Sequence, residues 1–175
     1  MKILVTGGVR SGKSRHAESL FADAPAVTYV AAGPQYDDAD WAARVAAHRD
    51  RRPSSWTTVE TIDLADALGA ADGPVLVDCL GTWLTGVIDA GSLWAAPVED
   101  VEAVVNGRLD ELVAALAEVP AERIVALVTN EVGLGVVPDH RSGRLFRDLL
   151  GTVNQRVAQM CAEVHLVISG RVLRL

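Results

Sequence analysis

The chain has 175 residues, half of them apolar and 22% charged, with 15 glycines and 7 prolines. That is the size of one ordinary domain with enough apolar residues for a continuous core, which excludes a disordered tail or a collagen-like fibre. A net charge of −7 argues against a general nucleic-acid binder, so any anion held here must meet a local concentration of positive charge.

In chain order, Lys2–Thr6 (KILVT) reads as a strand, followed by a glycine-rich turn and a helix over Lys13–Ala24. Val27–Ala31 is a second strand. Asp40–Arg51 is expected as a helix closed by Pro53, whose ring disfavours helical backbone at Arg52. Thr57–Glu60 is a short strand before a helix capped by Asp63. Pro74–Asp78 and Arg123–Thr129 are near-continuous apolar runs, as expected of strands covered on both faces. Ala90–Pro97 (AGSLWAAP) is expected to be the loosest loop. Glu99–Glu118 places Val101, Val105, Leu109, Leu112 and Leu116 at three- and four-residue spacing, an amphipathic helix. A second such helix over Ser142–Glu163 has Leu145, Leu149, Val153 and Val157 as its stripe. Val164–Ser169 is the last buried strand, and Arg171–Leu175 adds an edge.

Strand and helix alternate throughout, with no internal repeat and no linker. The expected fold is α/β: a mostly parallel sheet with helices on both faces, as a single domain spanning residues 1–175. Cys79 and Cys161 lie in apolar surroundings without CxxC spacing or a histidine cluster, which reads as two buried thiols in a reducing compartment. MKILVTGG is far short of a signal peptide's apolar stretch, and no run of about 18 apolar residues occurs, so a soluble cytoplasmic protein without a membrane segment is expected.

Gly7-Gly8-Val9-Arg10-Ser11-Gly12-Lys13-Ser14 fits GxxxxGKS and lies between a strand and a helix, the context that gives the pattern meaning. Glycines let the backbone curl so that successive N–H groups point at phosphate oxygens, helped by the helix N-terminus. Lys13 would set an ammonium on the β- and γ-phosphates, and the Ser14 hydroxyl would join a Mg²⁺ shell. Asp78 ends the strand VLVD, where a nucleotide-binding protein of this kind keeps its second metal-holding carboxylate; a helix cap is the other reading of that aspartate. These residues define a Mg²⁺–nucleoside triphosphate site without naming the purine. The Asn-Lys-x-Asp and Asp-x-x-Gly signatures of a GTP-timed switch are absent.

The required positive charge appears at Arg44, Arg49, Arg51 and Arg52, four basic residues within nine positions, with His48 among them. Arg44, His48 and Arg51/Arg52 share one helix face by their spacing. Neighbouring cations disfavour a protonated imidazole, and neutral imidazole is a nucleophile that can attack the α-phosphorus of a nucleotide and release pyrophosphate. The arginines would spread the charge developing on phosphate oxygens. Phosphate clamping, with His48 as a hydrogen-bond donor, and a merely solvated basic face are the competing readings.

GGVRSGKS at 7–14, HRDRRPSSWTTVE at 48–60 and VTNEVGLGVVPDHRSGRLFRDLLGTVNQRVA at 128–158 together resemble the bifunctional adenosylcobinamide kinase / adenosylcobinamide-phosphate guanylyltransferase family of cobalamin biosynthesis. The resemblance runs essentially the full length, with the three motifs in the family's order. It implies a fold of the P-loop NTPase type and two reactions. A nucleoside triphosphate, ATP or GTP, first phosphorylates the hydroxyl of the aminopropanol arm of adenosylcobinamide. GTP then donates GMP to the adenosylcobinamide phosphate through a covalent GMP–histidine intermediate, giving adenosylcobinamide-GDP.

By that resemblance His48 is the guanylylated residue. Gly7, Gly8, Val9, Arg10, Ser11, Gly12, Lys13 and Ser14 bind nucleotide phosphates, Ala31, Ala32 and Gly33 line the nucleotide site, and Arg49, Asp50, Arg51, Arg52, Glu60 and Asp78 fall at nucleotide-contacting positions. Two departures stand out: Ala31-Ala32-Gly33 replaces an expected Ala-Thr-Ser, and Asp78 stands where many relatives have Glu. Asn130 and Glu131 end a strand on the side where such sheets bind ligands, and either contact the corrinoid or shape the following loop. Arg141 and Arg144 read as surface helix residues. The resemblance also implies a homo-oligomer, a trimer; the net charge leaves no nucleic-acid partner expected. The alternatives are a plain small-molecule P-loop kinase without a covalent intermediate, and a nucleotide-dependent regulatory ATPase or GTPase.

Overall fold

A computed structural model of the protein describes residues 1–33 and 52–175. The helix expected over Asp40–Arg51 therefore lies outside the described residues, and with it Arg44, His48, Arg49, Asp50 and Arg51. The elements are β1 (Lys2–Gly7), α1 (Lys13–Ser19), β2 (Thr28–Ala31), β3 (Thr57–Glu60), α2 (Leu64–Ala70), β4 (Val75–Asp78), α3 (Leu80–Ala90), α4 (Val98–Glu118), β5 (Val125–Val128), α5 (Arg141–Gln159), β6 (Glu163–Ile168) and β7 (Arg171–Arg174). They build one seven-stranded sheet in the order β3-β2-β4-β5-β1-β6-β7. Among the described residues every pairing is parallel except β6 with β7; β7 is the edge expected from the C-terminal residues, and it runs antiparallel.

The apolar strands divide their side chains between two cores, as the two-residue period of a strand requires. Leu4, Val30, Val75, Val77, Val125 and Leu127 face one side, where α2, α3, α4 and α5 cover them. Ile3, Val5, Tyr29, Leu76, Ala126 and Val128 face the other, packed with Ala17 and Phe21 from α1 and the turn that follows it. All five stripe positions of α4 are buried, as are Leu145, Leu149, Val153 and Val157 of α5. Asp63 caps α2 by accepting from the Asp66 amide at 3.3 Å.

Some boundaries fall short of expectation for identifiable reasons. α1 stops at Ser19, because Leu20, Phe21, Ala22 and Ala24 turn to amide bonds with carbonyls three residues back. α5 stops at Gln159, where Met160 and Cys161 do the same before the Ala162 amide donates to Lys2 and the chain enters β6. Ala90–Pro97 is not a free loop. Leu93–Ala95 is a 3₁₀ turn, held by the Trp94 indole on Asp89 and by the Arg141 guanidinium on the carbonyls of Trp94 and Ala96.

A hydrogen-bonded chain ties α1 to β6. Glu163 can only accept, so His165 donates to it from Nε2 at 2.7 Å and accepts at Nδ1 from His16 Nε2 at 2.9 Å. Burial, then the neighbouring charges of His165 and Arg174, lower the pKa of His16. The hydrogen bond from His165 lowers that of Glu163.

Candidate nucleotide-binding site

The strand register assembles the site. Glu60 pairs with Ala31, Ala31 with Asp78, Asp78 with Val128, and Val128 with Val5. Glu60, Ala31 and Asp78 thus stand in one row across the C-terminal edge of the sheet. The same row reaches β1 two residues before Gly7, where the glycine-rich loop leaves the sheet.

That loop is shaped by its own backbone and by the β6–β7 turn. Gly12 has φ 96°, a left-handed conformation that costs glycine little. A side chain at Gly7 would drive its Cβ into the Val167 carbonyl oxygen. Arg10 also adopts a left-handed conformation, φ 55°. The Ser11 amide donates to Gly8 at 3.3 Å, and the Ser11 carbonyl accepts from the Gly170 amide at 2.8 Å. Lys13 Nζ reaches the Gly8 carbonyl at 3.3 Å, a long bond that a phosphate oxygen would replace with an ion pair. Ser11 Oγ is buried with no hydrogen-bond partner among the described residues, an orphan donor inside the phosphate loop.

Asp78 is half-buried at the end of β4 and accepts from the Tyr29 hydroxyl at 3.2 Å. Burial first, then the Asp78 charge, push the Tyr29 pKa upward, so the phenol remains a donor at neutral pH. The Arg52 guanidinium lies 3.6 Å from the centre of the Tyr29 ring and donates to Thr58 Oγ1 at 3.3 Å. Tyr29 therefore bridges a cation on one face and the β4 carboxylate at its hydroxyl. Its sequence signal is faint, one aromatic in the apolar run VTYVA. Beside it, Trp56 meets Phe21 edge-on at 6.0 Å, and both line a cleft of about 440 Å³ together with Glu18 and Arg52.

Ala32 and Gly33 follow β2 toward α3. The Ala32 amide donates to the Asp78 carbonyl at 3.4 Å, and a Cβ on Gly33 would come within 3.1 Å of Thr82 Cβ. Thr82 is engaged at the start of α3: its hydroxyl donates to the Cys79 carbonyl at 2.8 Å and accepts from the Cys79 amide at 3.2 Å. The cap of α3 is thus Cys79, and the Asp78 carboxylate is left for other work. Burial pushes the Cys79 thiol up and the Cys161 thiol to about 12; both cysteines are partly buried and free. Ser14 and Asp78 offer the oxygen donors that a hard cation such as Mg²⁺ takes, and the neutral Tyr29 hydroxyl occupies only part of the Asp78 acceptor capacity.

On the other side of Gly7, the Glu131 amide donates to the Gly7 carbonyl at 3.2 Å. Asn154 of α5 orders this strand end, accepting from Thr129 Oγ1 at 2.6 Å and donating to the Asn130 carbonyl at 3.0 Å. Asn130 Oδ1 accepts from the Cys79 thiol at 3.6 Å. Arg141 and Arg144, expected as surface residues, both hold loop carbonyls, Arg144 those of Pro138 and Asp139. Arg147, which sequence reasoning passed over, spans the carbonyls of Gly133 at 2.7 Å and Gly135 at 3.0 Å. Among the described residues no helix is long and apolar enough to cross a membrane.

A parallel sheet with a glycine-rich loop and lysine after β1 and an acid at the end of β4 defines a P-loop nucleotide-binding protein. The fold agrees: the ATPase of a bacterial type III secretion system superposes with TM-score 0.57 at 14% identity, over 94% of this chain and half of that one. Within that class, the chain belongs to the family described as cobinamide kinase / cobinamide phosphate guanyltransferase, whose model matches residues 3–175. It is 44% identical to the bifunctional adenosylcobalamin biosynthesis protein CobU of Salmonella typhimurium and 46% identical to that of Escherichia coli. Each match spans 97% of this chain and 97% of the relative.

Proposed function

We propose that this chain, as one domain over residues 1–175, phosphorylates adenosylcobinamide with ATP or GTP. It then transfers GMP from GTP to the adenosylcobinamide phosphate, giving adenosylcobinamide-GDP for adenosylcobalamin biosynthesis. The observation that carries the reading is the single row of Glu60, Ala31 and Asp78 beside the Gly7–Ser14 loop, in a chain that matches a family of this double activity from residue 3 to its last.

In the first step the acceptor hydroxyl oxygen bonds to the γ-phosphorus and releases its proton to water, the β–γ bridging P–O bond breaks, and the nucleoside diphosphate leaves. Lys13 and the loop amides bear the negative charge of the phosphates. Ser14 and Asp78 are the residues that would hold Mg²⁺, which when bound offsets phosphate charge. In the second step the neutral His48 imidazole attacks the α-phosphorus of GTP, an N–P bond forms, and pyrophosphate leaves. The phosphate of the phosphorylated acceptor then attacks the same phosphorus, the N–P bond breaks, and a diphosphate results with the imidazole restored. Arg49, Arg51 and Arg52 are assigned to the charge on the transferred group, and Asp50, Glu60 and residues Ala31 to Gly33 to the nucleotide. The protein is proposed to work as a cytoplasmic homotrimer, which light scattering tests.

GTP labelled at its α-phosphorus distinguishes the readings. Label retained on denatured protein, labile to acid and stable to alkali, is expected of a histidine phosphoramidate. His48→Asn should abolish it, and Lys13→Ala should reduce both half-reactions by about 10²–10³-fold, the usual loss for one positioned charge-stabilising donor. Phosphorylation of cobinamide without retained label would leave only the plain kinase. Full guanylyl transfer by His48→Asn would overturn the histidine assignment.

A further inference from the structure

The loop between β5 and α5 puts apolar side chains into water and holds them there. Leu134 is 89% exposed, Val136 94% and Val137 63%. Exposed apolar residues in such density mark a contact surface when the backbone beneath them is ordered. Here the backbone is clamped from below. Arg147 grips the carbonyls of Gly133 and Gly135, Arg144 those of Pro138 and Asp139, and Glu131 Oε1 accepts from the Gly133 amide at 2.8 Å. The loop also begins at the phosphate site, because the Glu131 amide is bonded to Gly7. Across that junction the tip of the phosphate loop presents another exposed apolar residue, Val9, 81% exposed.

A phosphoryl acceptor must bring its hydroxyl to the Gly7–Ser14 loop, so the body of a large acceptor has to lie on what borders that loop. A corrinoid is far larger than the nucleotide, and the methyl groups its macrocycle carries among its amide arms match aliphatic side chains. We propose that Leu134, Val136 and Val137 form the platform on which the corrinoid macrocycle rests during phosphorylation, with Arg144 and Arg147 as positioning residues that keep the platform in shape. This rests on the cobinamide kinase activity proposed above. A second copy of the chain is the other occupant such a patch could take, and the oligomer mass measured below separates the two.

The test is a triple variant, Leu134→Ser, Val136→Ser and Val137→Ser, whose exposed positions leave the core untouched. Its steady-state phosphorylation of cobinamide is compared with wild type, with equilibrium dialysis of cobinamide read by its visible absorption. The expected result is a rise of tenfold or more in KM for cobinamide, a parallel loss of affinity in dialysis, and an unchanged KM for GTP. Unchanged KM and affinity for cobinamide overturn the proposal, and so does a loss of oligomer mass by light scattering with cobinamide binding intact, which would assign the patch to a second copy. Absence of cobinamide phosphorylation in the wild type instead overturns the activity itself.

Discussion

Two loops leave neighbouring strands at the same edge of the sheet and are built by opposite means. The Gly7–Ser14 loop owes its shape to its own residues: Gly12 takes a left-handed backbone and Gly7 leaves no room for a side chain against Val167. The Val132–Pro138 loop owes its shape to α5, whose Arg144 and Arg147 reach back to its carbonyls. The first is a local motif and reads directly from eight consecutive letters. The second depends on pairs of residues 5 to 14 positions apart in the chain, and single-residue patterns do not reveal such pairs.

Perturbing each loop by its own device sharpens the contrast. Gly7→Ala should have the largest effect. Its Cβ meets backbone, which cannot swing away, so a stability loss of about 1–3 kcal/mol, typical of overpacking, is expected, together with a large rise in KM for GTP. Thermal unfolding would show a Tm lowered by about 2–4 °C for each kcal/mol. An unchanged Tm and KM would mean that the loop tolerates what its geometry forbids.

Arg147→Ala should act more narrowly. It removes two hydrogen bonds to exposed carbonyls, so Tm should fall by no more than a few degrees while the Gly133 and Gly135 amides exchange with deuterium faster than in wild type. Equal exchange in both proteins would show that the loop holds its shape without the clamp.

The smallest effect concerns pH. His16 titrates below its ordinary value of 6.5, so between the two values the unfolded chain binds more protons than the folded one. Stability is therefore complete above about pH 6.5 and declines as pH falls through that value toward the folded-state pKa. The depressed Glu163 carboxyl acts in the same direction at still lower pH. Groups facing His16 in this response are His165, Glu163 through its bond to His165, and Arg174. A His16→Asn variant should show a shallower fall of Tm between pH 7 and pH 5 than wild type, and an identical slope would remove His16 as the source.

Much of the architecture is legible in advance because burial imposes periodicity. The stripe Val101, Val105, Leu109, Leu112 and Leu116 turned out buried in full, and VLVD and VALV are inner strands of a parallel sheet. Helix ends are less legible, since the stop of α1 at Ser19 and of α5 at Gln159 depends on turns that the next strand requires. Ala90–Pro97 misleads for a related reason: its many small residues, with Gly91 and Pro97, read as a loose loop, yet Arg141 and Asp89 hold it from other elements. Within the site, the phosphate loop and Asp78 are visible as motifs. Tyr29 is not, because its role comes from the register that sets β2 beside β4 and from Arg52 folding over its ring.

The amino-acid sequence alone therefore determines the fold class, the phosphate-binding loop and the family, since each rests on local spacing or on the match of consecutive residues. Only the tertiary structure decides that Glu60, Ala31 and Asp78 share one row, that Tyr29 links Arg52 to Asp78, and that Arg144 and Arg147 hold the carbonyls of a loop with three exposed apolar residues. The physical reason is that strand register and side-chain clamps join residues far apart in the chain, and their pairing energy becomes available only once the sheet has closed.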